Sequence, residues 1–152
     1  MNLKLPGLQL LFLTMFFSVA STITCAAETQ LTQRAQMLLA VGQQYAEHYN
    51  NPDEFALIYA EDLVVNDGVY TGREALIASE KAFLEFAPRR TMRADHMHVS
   101  GDNMVIVRGV ILDPDRGDDW ELPFSAFLTV NEDGLIAEDY TYADFTRLLA
   151  PK

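Results

Sequence analysis

Apolar residues recur along this chain at two different spacings, and the change between them divides it. From Leu31 they fall at Leu31, Ala35, Leu38, Gly42, Tyr45 and Tyr49, with Leu39 and Ala46 alongside. Steps of three and four place one broad apolar face on a helix. Asn50-Asn51-Pro52-Asp53-Glu54 ends that helix and starts a second. Asn51 suits the cap, Pro52 the first helical position, and the two acids the positive end of the helix dipole. This second helix is short, because Leu63-Val64-Val65 reads as a strand. Thr71-Gly72-Arg73-Glu74 has the spacing of a capping box. It opens a third helix carrying Leu76, Ile77, Phe83, Leu84 and Phe86, which Pro88 closes. Beyond Pro88 come four β-rich runs: Met92–Ser100, Met104–Leu112, Trp120–Val130 and Leu135–Tyr142. Turn residues separate them, at Gly101-Asp102-Asn103, Asp113 to Asp119, and Glu132-Asp133-Gly134. Connections this short imply antiparallel neighbours. A last short helix, Phe145–Leu149, follows. The pattern predicts an α+β domain: three N-terminal helices packed on the concave face of a curved antiparallel sheet.

The first 27 residues obey neither spacing. Lys4 is the only charge before Glu28, and Leu8 to Ala20 is a short apolar stretch followed by small residues up to Ala27. A basic start, an apolar middle and a small-residue exit describe a secretory signal peptide. A membrane span needs about 20 mostly apolar residues, and this stretch is shorter and carries Gln9 and Thr14. The expectation is therefore an exported domain, periplasmic or secreted, over residues 28–152, with no stable membrane anchor. Cleavage after Ala27, with Cys25 and Ala27 at the −3 and −1 sites, fits best. Thr22-Ile23-Thr24 before Cys25 is a poor match to a lipoprotein box. The lone cysteine would then leave with the leader, and no disulfide framework or multi-Cys zinc pattern is available.

Composition narrows the partners. The chain has 152 residues, with 22 Asp+Glu against 11 Lys+Arg and a formal net charge of −11. That length suits one domain. The acidity argues against nucleic acid, whose phosphates it would repel, and no basic stripe offers an exception. A small neutral or cationic ligand is the partner such a surface admits.

Four segments carry a family likeness: Tyr59-Ala60-Glu61-Asp62 running into Leu63 to Asp67, Tyr70 to Leu76, Val99-Ser100-Gly101-Asp102, and Asp133-Gly134-Leu135-Ile136 running to Tyr142-Ala143-Asp144. In this order the chain resembles the nuclear transport factor 2-like superfamily, in its SnoaL-like branch. The resemblance implies a cone-shaped fold enclosing a pocket open at one end; a homodimer is expected. It does not fix chemistry, because the superfamily includes isomerases, hydrolases, dehydratases, cyclases and non-enzymatic binders. Asp67 matches the general base of its ketosteroid isomerases, but the oxyanion-hole acid of those enzymes falls on Ala126 and their tyrosine on Gln43. The Arg and two Asp positions of its epoxide hydrolases fall on Gly109, Ile111 and Thr141. Neither machinery is complete.

The remaining candidates follow from position. Asp67 can act as a base if apolar walls raise its pKa, although Asn66-Asp67-Gly68 also reads as a plain turn. On the last strand Asp139, Thr141 and Ala143 share one face. With that face inward, Asp139 and Asp67 approach as a carboxylate pair; with it outward, Asp139 is solvated at an edge. Asp144 matches an acid of SnoaL-like cyclases and also suits a helix cap for Phe145. His96 and His98 share a strand face, so His96 can assist proton transfer, yet no third metal ligand is visible. Asp113 to Asp119 lacks the glycine and glutamate of a calcium loop and reads as a solvated hairpin. No metal and no cofactor is expected. Tyr45, Tyr49, Phe83, Phe86, Trp120 and Phe124 are expected inward, and with Thr141 and Asp144 they would line an apolar pocket for a small hydrophobic molecule. Two readings stay open: acid/base chemistry of isomerase, cyclase or dehydratase type, or a non-catalytic ligand-binding or interaction domain.

Overall fold

The computed structural model describes residues 33–150, and the fold is that of the compact unit Ala35–Lys152. The expected leader, residues 1–27 with Cys25, lies outside the described residues. Helix α1 runs over 33–47. It is followed by α2 (Pro52–Phe55), the 3-10 turn Ala56–Ile58, β1 (Tyr59–Val65), a second 3-10 turn at Asn66–Gly68 and β2 (Tyr70–Thr71). Helix α3 (Arg73–Phe86) leads into β3 (Thr91–Ser100), β4 (Met104–Leu112), a third 3-10 turn at Pro114–Arg116, β5 (Glu121–Val130), β6 (Ile136–Ala143) and α4 (Phe145–Leu149). Among the described residues no helix is long and apolar enough to cross a membrane.

The local signals account for most of these ends. Asn51 caps α2, its side chain accepting from the Glu54 amide, and Pro52 opens the helix. The capping box at Thr71 does not form. Thr71 pairs with Val64 in the sheet, and α3 starts from Gly72 at φ 88° with no side-chain cap. Only glycine adopts that left-handed backbone without strain, so the turn out of β2 sets the helix start.

The six strands form one curved sheet in the order β2-β1-β6-β5-β4-β3, not closed into a barrel. Strands β3 to β6 are an antiparallel meander, as their short connections require. The sheet is mixed, not antiparallel throughout, because β1 pairs with β6 in parallel. A parallel pair needs a long connection, and here α3 and four strands lie between the partners. The short β1 signal in the sequence carried no information about that distant neighbour.

Strand β5 shows the amphipathic alternation directly: Leu122, Phe124, Ala126, Leu128 and Val130 are buried, and the residues between them are more exposed. They join Val105, Val107 and Ile111 of β4 and Leu38, Val41, Tyr45 and Tyr49 of the α1 region in one core. Each fully buried aliphatic side chain of this kind contributes about 1.5–3 kcal/mol. Gly42 lets α1 lie close to the sheet, for a Cβ there would stand 3.1 Å from Val105 Cγ2 and 3.2 Å from Val107 Cγ2. Phe55 fills the space beyond, with ring centroids 5.5 Å from Tyr45, 6.1 Å from Tyr49 and 5.1 Å from Tyr59.

A tighter constraint sits on β4. Strand β3 shifts register between Ala94 and His96 opposite Gly109, and a Cβ on Gly109 would lie 1.9 Å from the Arg93 carbonyl oxygen. Backbone cannot yield as a side-chain tip can. Gly109→Ala is expected to cost about 2–3 kcal/mol, read as a lower urea midpoint; a midpoint equal to wild type would contradict this packing.

Candidate functional site

Behind the sheet's inner face lies a cavity of about 280 Å³. Seven aromatic residues line it, Tyr45, Tyr49, Phe55, Tyr59, Tyr70, Phe83 and Phe145, together with Val65, Val69, Leu76, Met92 and Ile111. The polar lining is sparse: Asn66, Ser79, Glu80, Asp139 and Thr141.

Asp139 is 4% exposed and sits on β6 between β1 and β5. Its Oδ2 accepts a hydrogen bond from the Tyr59 hydroxyl at 2.8 Å, and its Oδ1 accepts one from Thr141 Oγ1 at 2.6 Å. A hydroxyl has one proton to give. With Thr141 donating to Asp139, the 3.0 Å contact between Tyr45 and Thr141 has the tyrosine as donor. The result is a relay from Tyr45 through Thr141 to Asp139. The Thr141 amide donates to Asn66 Oδ1 at 3.0 Å, which fixes the end of β1 against β6. Burial raises the Asp139 carboxyl above its ordinary range, against the pull of the Thr141 and Tyr59 hydrogen bonds. The same burial, with the negative charge of Asp139, raises the Tyr45 and Tyr59 hydroxyls far out of the physiological range.

The second acid of the cavity is Glu80, on α3. Its side chain is 15% exposed, and Oε2 meets Arg90 Nη2 at 2.6 Å. Burial pushes its carboxyl up to about 7; Arg90 opposes the rise and the charge of Asp139 adds to it. Arg90 itself is fully buried, its guanidinium 4.8 Å from the Tyr49 ring centroid and 5.5 Å from that of Phe83. Glu80 is thus a group near half-protonation at neutral pH on the wall of an apolar cavity, as an acid/base role requires.

The positions read from the sequence divide. Tyr45, Tyr49, Phe83, Asp139 and Thr141 line the cavity. Phe124 lies behind it in the core, its ring centroid 6.5 Å from that of Tyr45. Asp139 is not solvated at an edge, because the parallel pairing with β1 covers that side of β6. Asp67 lies in the 3-10 turn after β1, and its side chain is outside what the structure describes. The acid brought into electrostatic range of Asp139 is Glu80.

Several expectations need correction. Phe86 is 56% exposed, since it is the last residue of α3, where the chain already turns toward Ala87 and Pro88. Trp120 does not line the cavity. It precedes β5, with Arg116 and Arg147 guanidinium groups 5.4 and 5.8 Å from its ring centroid. His96 and His98 are exposed, on the sheet face opposite the inner residues Val105 and Val107, so His96 cannot assist chemistry in the cavity. Asp144 is exposed at the N-cap of α4, bound to the Thr146 hydroxyl. Asp113 is buried, not solvated: it caps the turn before β5 and pairs with Arg116 at 3.1 Å. Among the described residues no cluster of three or more His, Cys, Asp or Glu is placed to hold a metal.

Sequence reading passed over Glu80 and Arg90. A signal existed, for Leu76, Glu80 and Phe83 stand at helical spacing on one stripe, and an acid on an apolar stripe is the informative kind of exception. What the stripe does not show is the partner arginine beyond Pro88.

The geometry defines a class: a curved-sheet α+β domain with an aromatic cavity and two buried acids. The SnoaL-like domain family matches residues 43–139, and the chain belongs to that family, within the nuclear transport factor 2-like superfamily. Among solved structures it is similar to wild-type IdmH, a candidate polyketide cyclase from Streptomyces antibioticus. The two share 17% identity over 74% of this chain and 95% of that one, with a TM-score of 0.61. A candidate isomerase of the SnoaL-like family from Agrobacterium tumefaciens shares 19% identity over 72% and 98%, with a TM-score of 0.60. A hypothetical protein with a ketosteroid isomerase-like fold from Catenulispora acidiphila, in complex with trimethylamine, shares 17% over 67% and 83%, with a TM-score of 0.58. Likeness at these identities concerns the fold. Among curated proteins none matches significantly.

The raised carboxyl of Glu80 has a consequence for stability. Between its ordinary value of 4.5 and about 7 the folded state holds a proton that the unfolded state has released. Stability therefore falls as pH rises through that window. Glu80→Gln is expected to flatten the slope of melting temperature against pH there, while lowering stability overall by stranding Arg90. An unchanged slope would show that Glu80 titrates normally.

Proposed function

We propose that the domain binds a small hydrophobic molecule, neutral or cationic, in this cavity and performs cofactor-free proton transfer on it. The observation carrying the reading is the convergence of Asp139 and Glu80 on one apolar cavity. The walls are mostly apolar, and low polarity strengthens every charge interaction inside. Asp139, held by Tyr59 and Thr141, is the fixed carboxylate that orients a donor group or stabilises positive charge. Glu80, near half-protonation at neutral pH, takes up and returns the proton. This assigns to Glu80 the base role that the sequence offered to Asp67. Isomerisation, cyclisation and dehydration all use such a step, and the relatives named as candidate cyclase and isomerase are consistent with it.

The rival reading is a non-catalytic binder. It draws on Ala126, fully buried and apolar where an oxyanion-hole acid would stand in a ketosteroid isomerase. Deuterium exchange at acidic C–H positions of small apolar ketones, followed by NMR, separates the two. The enzyme reading expects exchange faster than in buffer, reduced about 100-fold or more by Glu80→Gln. Binding without acceleration would leave only the binder.

The proposal includes export of the domain and its pairing as a homodimer through the outer sheet face. There Tyr142 is 62% exposed, its ring edge-on to Phe127 with centroids 5.9 Å apart. Tyr142→Glu is expected to shift the species in light scattering from dimer to monomer; an unshifted mass would remove this face from consideration.

A further inference from the structure

Asp139 lacks what buried carboxylates ordinarily have, a cation. Its two partners, Tyr59 and Thr141, are neutral hydroxyls, and no salt bridge reaches it among the described residues. The arginine nearest the cavity, Arg90, gives Nη2 to Glu80 at 2.6 Å and forms no ion pair with Asp139, while its buried Nε and Nη1 have no hydrogen-bond partner among the described residues. An ionised carboxylate 4% exposed is costly unless something of opposite charge meets it. It either keeps a proton or waits for a ligand to supply that charge.

The walls favour the same kind of ligand. Tyr45, Phe55 and Tyr59 are among seven aromatic residues around the cavity, and ring quadrupoles attract a cation at their faces. An anion would meet two acids. A neutral apolar molecule would fill the space and leave the free lone pairs of Asp139 unused.

We propose that the cavity takes a compact hydrophobic ammonium, its cationic head against Asp139 and its alkyl groups among the rings. This rests on the reading of the cavity as the ligand site and names the chemical class that site selects. The titratable and charged groups around the head are Tyr45 and Tyr49 from the α1 region, Tyr59 from β1, Tyr70 from β2, Glu80 from α3, and Arg90 just before β3. Burial raises the hydroxyls of Tyr45, Tyr49 and Tyr59 well above their ordinary range, so these three stay protonated across the accessible pH range. Asp139 and Glu80 are the groups whose ionisation changes.

The test compares choline with 3,3-dimethylbutan-1-ol, in which carbon replaces the quaternary nitrogen, by calorimetry on the full chain. At about pH 8 choline is expected to bind about tenfold tighter or more. That advantage should shrink as the pH is lowered to about 4 and the carboxyls take up protons; choline does not titrate, so the change belongs to the protein. Asp139→Asn should abolish the advantage of choline over the alcohol. If that variant fails to fold, the wild-type comparison at two pH values decides alone. Equal affinities at about pH 8, or an advantage undiminished at about pH 4, would overturn the ammonium assignment and leave a general hydrophobic site. If neither compound binds, and small apolar ketones do not either, the ligand-site reading falls with it.

Discussion

The arrangement turns on one buried carboxylate. Asp139 lies on a strand covered on both sides by neighbours, and its position demands that hydrogen-bond donors come to it. Tyr59 arrives from β1 and Thr141 from β6 itself, and Tyr45 completes the relay from α1. Three elements far apart in the chain are thereby tied at one point. The parallel pairing of β1 with β6 and the close approach of α1 at Gly42 are what bring those hydroxyls within reach.

The cavity exists because the rest of the core is apolar and stops short of this point. Val105, Val107, Leu122 and Leu128 close the inner face elsewhere, and large rings surround the space that remains. Burial holds both carboxyls above their ordinary range, and the charge of Asp139 adds to the rise at Glu80. Arg90 keeps Glu80 within the physiological range, and Asp139 has only neutral donors. The two carboxyls thus stand in different surroundings, Glu80 against a guanidinium and Asp139 against two hydroxyls.

Much of the fold was legible in the chain. The helical stripe through Leu38 and Tyr45, the cap at Asn51 and the four β-rich runs appear where the spacing placed them, because burial on one face imposes a period that local sequence must carry. The strand order was not legible, since pairing between β1 and β6 leaves no local trace in either. Alternation put Asp139 and Thr141 on one face of the last strand but left open which way that face turned; pairing with β1 and β5 turns it inward. Phe86 and Trp120 show the limit of such reasoning, for Phe86 at the end of α3 is released to the surface by the turning chain and Trp120 packs against the core without reaching the cavity. Glu80 shows another, because an acid on an apolar stripe signals an exception without naming the partner that makes it tolerable.

The sequence by itself determined the elements, their amphipathic faces, the acidic surface and the family. These depend on neighbours within a few residues or on order along the chain. Only the tertiary structure decided which acids share the cavity, which hydroxyls hold Asp139, and that His96 stands on the opposite face. Those depend on strand register and helix docking, where a shift of one residue turns every side chain to the other face.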